Sequence, residues 1–460
     1  MKKSILLAMA ALAWCLSLPA QAQHLKRRPF LGVQIAPVAD SLVVVYGLAN
    51  EEGGMVMAVI PNSTAAALKL QPNDVIVSIN KEAVKSANDV VAKARAFTTG
   101  EPVTVGIIRN KKRLTLKGKV KEMPREEDAA AEVLYDEVKT DHGYARLIMK
   151  KPKGKGRFPA VFFLQGYGCS SIDNLPPHDP QRRLMDGLVA KGYAVFKMDK
   201  PGSGDSQGSA PCSEVAYAEE LAAFSAGLKK LTSYDFVDTG NVFLFGHSLG
   251  ANTAPVIAGD TKVKGIIGYG VAGKPWYEYM LDVFREQRAE MGLDPVRIDE
   301  DMRVLGPLTY ELLVEKKSPE ELAQNPKYKQ HLEQSFEYDG KGHLFTRHYT
   351  FMQGIQEVPY HKAWRDANTN VLIIYGGADL PSISPHNSEL LVNAINAMRP
   401  GTATYKFLPE TDHGFIKVGS KQDLMRLRQS DAYEAYARDN FNPELVEMID
   451  AWMRHLMQNQ

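Results

Sequence analysis

A chain of 460 residues with 44% hydrophobic and 24% charged content has too much apolar material to be disordered and enough length for two or three domains. Its 55 Lys plus Arg stand against 54 Asp plus Glu, so the overall charge points to no nucleic-acid groove and no anionic membrane surface. No C-x-x-C or H-E-x-x-H spacing occurs, and the sequence calls for no metal and no cofactor.

At the start of the chain, Lys2 and Lys3 precede an apolar run from Ile5 to Leu18, followed by "PAQAQ", in which Ala20 and Ala22 are small enough for cleavage before Gln23. This pattern predicts a secretory signal peptide over residues 1–22. The run is shorter than the roughly 20 apolar residues of a membrane anchor. A periplasmic or secreted product without stable membrane insertion is therefore expected. Bulky Trp14 before Cys15 is a poor match to a lipoprotein site. Cleavage leaves two cysteines, Cys169 and Cys212, and an oxidising compartment favours their pairing.

Over residues 29–120, the runs "FLGVQIA", "GMVMAVI", "DVIVSIN" and "VTVGIIRNKKRLTLKG" read as strands. The stretch "SANDVVAKARAF" reads as a helix, with Val90, Val91, Ala94 and Phe97 at helical spacing. Through "FLGV" at 30–33, "VIPNSTAAALKLQPNDVIVSINKEAV" at 59–84 and the helix that follows, this module resembles a PDZ domain of the kind attached to secreted bacterial proteases. Asn73 and Lys81 depart from it, standing where glycine is usual. The resemblance implies that the N–H groups of Leu31, Gly32 and Val33 form a nest for a peptide's terminal carboxylate. The peptide would add as a strand beside "GVQIA", and the Ser86 to Phe97 helix would close its side-chain pocket. A small β-rich module in which Gly32 merely makes a turn is the alternative reading.

Polar, charged "VKEMPREEDAAAE" with Pro124 marks a boundary, and residues 121–130 are expected to be a linker. From residue 131 onward apolar strands alternate with helices, which predicts an α/β fold with a mostly parallel sheet covered on both faces. "AEVLYDEVKT" and "YARLIMKK" read as a leading antiparallel pair. The fifth strand, "NVFLFG", enters the helix "LGANTAPVIAG" through Gly246-His247-Ser248-Leu249-Gly250, a G-x-S-x-G turn that lifts a serine hydroxyl above a sheet. Asp379 in "YGGADLPS" and His413 in "ETDHGF" lie in loops after later strands, at the edge where open sheets present their sites.

These motifs together resemble the α/β-hydrolase superfamily across residues 131–460, especially its dienelactone-hydrolase-like and prolyl-oligopeptidase-like branches. The resemblance implies Ser248 as nucleophile, His413 as general base and acid, and Asp379 as the carboxylate that orients it. His247, His386 and Asp412 are weaker candidates. It also implies an oxyanion hole made by the N–H groups of Leu249 and Tyr167. Tyr167 lies in "QGYGCSS", where Gln165 replaces a histidine common in the family. Cys169 follows that loop and Cys212 ends the loop after the next strand, so a Cys169–Cys212 disulfide would brace the oxyanion loop. Residues 272–368 read as a helical cap insertion. Its Trp276, Tyr277, Tyr279, Tyr349 and Phe351 either line an acyl or aromatic pocket or form the cap's own core.

The expected function is an exported serine hydrolase that cleaves carboxylic esters or related acyl compounds, with a small ester or a peptide as substrate. A serine peptidase whose PDZ-like module recruits peptide C-termini is the second reading, and a PDZ-based binding protein with a non-catalytic hydrolase scaffold is the third.

Overall fold

Two separate sheets divide the chain, one before residue 121 and one after residue 130. The computed structural model describes residues 24–39, 43, 52–430 and 432–458. The expected signal peptide lies outside the described residues. Among them, no helix is long and apolar enough to cross a membrane.

The first sheet contains β1 (Val33–Ala36), β2 (Gly54–Val59), β3 (Val75–Ile79), β4 (Glu82–Ala83), β5 (Pro102–Arg109) and β6 (Lys112–Lys119). They run in the order β1-β2-β3-β5-β6, with β4 on β3, and all pairs are antiparallel. Val56, Ile76 and Val105 point into a core with Leu31, Leu68 and Val90. Val90 comes from the helix Ala87–Arg95, which begins where Ser86 accepts a hydrogen bond from the Asp89 N–H. Asn73 and Lys81, in the places where glycine was expected, both take left-handed backbone at φ 71° and 72°. That conformation suits Asn but costs roughly 1–2 kcal/mol in a lysine.

The module is fastened at both its entry and its exit. Pro29 bridges Glu122, the Phe30 N–H donates to Lys121 O, and the Met123 N–H donates to Arg28 O. Ahead of Pro29, residues 24–28 lie across the second domain. Leu25 is buried there, and the Arg27 guanidinium reaches Asp173 and Asp205. In the expected linker, Met123 and Glu126 are buried, and Glu126 pairs with Lys150 and Lys197.

The second sheet is built from β7 (Ala131–Lys139), β8 (Tyr144–Pro152), β9 (Phe158–Leu164), β10 (Ala194–Met198), β11 (Val237–His247) and β12 (Gly265–Tyr269). A short hairpin, β13 (His343–Leu344) with β14 (Arg347–His348), intervenes before β15 (Asn370–Gly376) and β16 (Ala403–Leu408) complete the sheet. The order is β16-β15-β12-β11-β9-β10-β8-β7; β7 and β8 are antiparallel, and the strands from β10 to β16 along this path are parallel. Alternate residues of β9 feed opposite faces. Phe162 and Leu164 pack under the helices Tyr217–Leu231 and Leu249–Ala258, while Val161 and Phe163 pack under Pro180–Ala190 and Glu444–Gln458. This is the α/β-hydrolase fold, with a PDZ domain ahead of it.

The strand order also places the site. From β9 the chain crosses to β10 on one side, whereas from β11 it crosses to β12 on the other. The loops leaving these two adjacent strands diverge, which opens a crevice at their C-terminal ends. Over it lie the helices Trp276–Asp282, Pro295–Leu313, Pro326–Ser335 and Tyr349–Gln356, which share an apolar core of their own around Leu305, Leu308 and Leu332. The helix Tyr360–Asp366, within the expected insertion, instead packs Trp364 into the main core.

Candidate active site

β11 ends in a turn that the glycines on either side of Ser248 permit. Ser248 has φ 56° and ψ −124°, a left-handed conformation that costs a non-glycine residue about 1–3 kcal/mol. Its N–H donates to Tyr269 O at 2.8 Å, and its carbonyl accepts from the Ala251 N–H at 2.9 Å. A Cβ on Gly246 would lie 2.4 Å from the Ala251 Cα, and one on Gly250 would lie 2.0 Å from Leu164 O, so side chains at either place would force the turn apart. The helix Leu249–Ala258 starts directly behind the serine. Among the described residues, the Leu249 N–H has no hydrogen-bond partner.

Asp379 and His413, from the loops after β15 and β16, meet at the same crevice. His413 Nδ1 lies 2.9 Å from Asp379 Oδ1, and Asp379 is fully buried. Asp379 Oδ1 also accepts from the Ser382 N–H at 2.8 Å. Burial works against the Asp379 charge, but the charge and hydrogen bond of His413, with Ser382, outweigh it and hold the carboxyl below its usual range. Burial likewise works against a charged His413 ring, and the Asp379 charge and hydrogen bond overcome it, holding the ring above the ordinary histidine value. Ser248 Oγ makes no hydrogen bond to His413.

The weaker candidates have other partners. His247 Nε2 lies 2.8 Å from the His413 backbone carbonyl, and burial and the neighbouring His413 push its pKa down to about 3, so the ring is neutral and donates. The Asp412 carboxylate accepts from the N–H groups of Gly414 and Ile416 and from the Tyr433 hydroxyl. His386 is exposed in the first turn of the helix Pro385–Met398.

The expected oxyanion loop follows β9 and borders the serine. A Cβ on Gly166 would lie 3.1 Å from the Ser248 Cβ and 3.6 Å from its Oγ. The Tyr167 N–H, like that of Leu249, has no partner among the described residues. Cys169 and Cys212 form a disulfide with their Cα atoms 5.8 Å apart, which ties this loop to the one after β10. The Tyr167 ring packs edge-on against Phe351, which also meets Tyr217 and Leu249 under the cap. Trp276, Tyr277, Tyr279 and Tyr349 pack against the cap's own core, and Trp276 touches both clusters.

In the first domain, Gly32 has φ 73°, and a Cβ there would lie 2.1 Å from the Ser63 Cβ. The Leu31 and Gly32 carbonyls accept from Ala65 and Ile60, while among the described residues the N–H groups of Leu31 and Gly32 have no backbone partner. Val33 starts β1, an edge strand of the sheet as far as the described residues go. Sequence reading weighed His247 only as a weaker candidate and passed over Ser382, which donates to Asp379. It also passed over Lys200 and Arg347, which donate to carbonyls of the loop after β9, and over Glu220, which pairs with both.

The PDZ domain pattern matches residues 29–120, and the pattern of the serine aminopeptidase S33 family matches residues 181–417, just over half of the chain. A probable periplasmic serine endoprotease, DegP-like, of Bartonella henselae is 31% identical over 104 residues, which is 23% of this chain and 20% of that protein. Esterase EstD of Thermotoga maritima is 30% identical over 132 residues, 28% of this chain and 31% of that protein. The chain thus spans about a fifth to a third of the length of these curated relatives. Among solved structures, Est1E from Butyrivibrio proteoclasticus aligns over 71% of this chain and 99% of its own, with 14% identity and a TM-score of 0.43. A free serine at a strained elbow, a buried carboxylate–histidine pair and the matched pattern agree, and the chain belongs to the serine aminopeptidase S33 family of α/β-hydrolase serine hydrolases, with an N-terminal PDZ domain.

Proposed function

We propose that this serine hydrolase is exported and cleaves carboxylic esters through an acyl-enzyme formed on Ser248. The observation that carries the reading is the strained elbow at Ser248 beside a histidine held 2.9 Å from a fully buried aspartate. His413, with Nδ1 bound to Asp379, presents Nε2 to take the Ser248 proton as Oγ attacks the acyl carbon. The carbonyl oxygen becomes an oxyanion and accepts from the N–H groups of Tyr167 and Leu249. Collapse of this intermediate breaks the bond to the alcohol, which leaves with the proton carried by His413. Water, deprotonated by the same ring, then attacks the acyl-enzyme and restores Ser248.

An aminopeptidase needs an anion for the substrate's terminal ammonium. Of the buried carboxylates beside the site, Asp379 is held by His413, Asp412 by Tyr433 and backbone N–H groups, and Glu220 by Lys200 and Arg347. Among the described residues, none of these three is left for an ammonium, which favours esters over aminopeptidase substrates. Export is supported by the signal-peptide pattern and by the disulfide, which suits an oxidising compartment. The N–H groups of Leu31 and Gly32, without a backbone partner among the described residues, support docking of a peptide C-terminus at the PDZ domain. A panel of nitrophenyl esters and aminoacyl nitroanilides tests the substrate class. Turnover confined to the esters is expected, and equal or faster cleavage of the anilides would overturn the ester reading.

A further inference from the structure

Lys200 follows β10, yet its side chain is fully buried. Its Nζ lies 2.8 Å from Glu220 Oε1 and 2.5 Å from the Gly166 carbonyl oxygen. Glu220, on the helix Tyr217–Leu231, also pairs at 2.9 Å with Arg347 of β14, which is equally buried. Arg347 in turn donates to the carbonyls of Tyr167 at 3.2 Å and Cys212 at 3.1 Å. Two basic side chains and one acid therefore sit fully buried against the oxyanion loop; burial lowers the Lys200 pKa, and the Glu220 charge and hydrogen bond work against that to keep the ammonium. Such a cluster is costly to bury, and hydrophobic residues would often serve stability as well or better.

The bond to Gly166 gives the cluster a chemical purpose. The carbonyl of Gly166 and the N–H of Tyr167 belong to one peptide unit, and that unit is trans. In a trans peptide the C=O and N–H point in opposite directions. An ammonium that fixes the carbonyl on one side therefore aims the N–H to the other, and Gly166 lies beside Ser248. The positive charge on the carbonyl oxygen also draws electrons from the amide nitrogen and makes its N–H a stronger donor. We infer that Lys200 is a positioning residue for the oxyanion hole: through the Gly166 carbonyl it orients and polarises the Tyr167 N–H, while Glu220 and Arg347 hold it in place. The inference rests on the reading of Tyr167 as an oxyanion donor.

Lys200→Met tests it, because Glu220 keeps Arg347 as its partner and no lone charge is left buried. The variant should fold with a urea midpoint at or above that of the wild type. Loss of one oxyanion donor costs about 10²–10³ in kcat, and a misaimed donor should cost roughly 10–100-fold. With a nitrophenyl butyrate substrate, kcat should fall by that factor while KM stays within about twofold. A trifluoromethyl ketone, whose adduct on serine carries the same oxyanion, should bind more weakly by the same factor. Lys200→Gln, whose amide is too short to reach Gly166, should behave alike. A folded Lys200→Met with wild-type kcat and wild-type ketone affinity would overturn the inference, as would failure of both variants to fold, since Lys200 would then be structural. Absence of ester turnover and of fluorophosphonate labelling in the wild type would instead overturn the reading of Ser248, and this inference with it.

Discussion

His413 Nδ1 sits 2.9 Å from Asp379 Oδ1 while the carbonyl of His413 accepts from His247, the residue directly before the elbow serine. Asp379 thus holds the ring at Nδ1 while His247 holds the backbone of the same residue, and the charge of the ring is set by Asp379. Because the base must be neutral, kcat/KM for an ester should rise with pH and level off above the His413 pKa, which the Asp379 charge raises over the ordinary 6.5. His247, down at about 3, contributes no second limb in the neutral range. Asp379→Asn removes the charge that holds the ring up, so burial wins and the limb should move to lower pH. The plateau should also drop by about 10⁴, through the wrong histidine tautomer. A pH–rate profile checks both, and a limb left in place would show that another carboxylate governs His413.

Arg27 should matter far more to stability than an arginine near a chain end usually does. It contacts Asp173 and Asp205, and Arg27 and both carboxylates are buried. Arg27→Met leaves Asp205 with Arg146 at 3.4 Å and, among the described residues, leaves the Asp173 carboxylate with the Tyr135 hydroxyl at 2.5 Å and no cation. Removing one partner from a buried charge cluster typically costs about 3–5 kcal/mol. Urea unfolding should show a loss of that order, and an unchanged midpoint would mean that residues 24–28 do not hold the second domain together.

The Cys169–Cys212 disulfide closes a separation of 43 residues between the loop after β9, the proposed oxyanion loop, and the loop after β10. Replacing both cysteines by serine should lower stability by roughly 2–4 kcal/mol. Peptide mapping of the oxidised protein, with urea unfolding of wild type and variant, makes the comparison. Two free thiols, or equal stabilities, would remove the brace from the account.

Peptide binding at the PDZ domain should depend on a free terminal carboxylate, because that group would accept from the N–H groups of Leu31 and Gly32, which have no backbone partner among the described residues. In the full-length Ser248→Ala protein, fluorescence anisotropy should find peptides whose affinity drops about tenfold or more on amidation, in line with the loss of a charge-assisted hydrogen bond. Equal affinity of free and amidated peptides would show that this edge reads no carboxylate.

The elbow could be read from sequence because its chemistry is local. Gly246 and Gly250 flank the serine within one turn, and each is required by backbone that passes within 2.4 and 2.0 Å of its missing Cβ. Asp379 and His413 were legible because both follow apolar strands in the order that the fold imposes. The Lys200–Glu220–Arg347 cluster is different: its members come from a loop, a helix and the cap, and only the tertiary fold joins them. One signal was present. Glu220 lies on the same helical stripe as buried Tyr217, Phe224 and Leu228, and an acid on an apolar stripe needs a buried cation. Arg27 gave no such signal, because "HLKRRPF" is polar and its two aspartates lie far along the chain.

The central claim is that Ser248 carries the acyl group, and labelling by a fluorophosphonate tests it most directly. Mass spectrometry of the labelled wild-type protein should find one adduct, on the peptide containing Ser248, and Ser248→Ala should lose both the adduct and ester turnover. An adduct on another residue, or ester turnover that survives in Ser248→Ala, would contradict it.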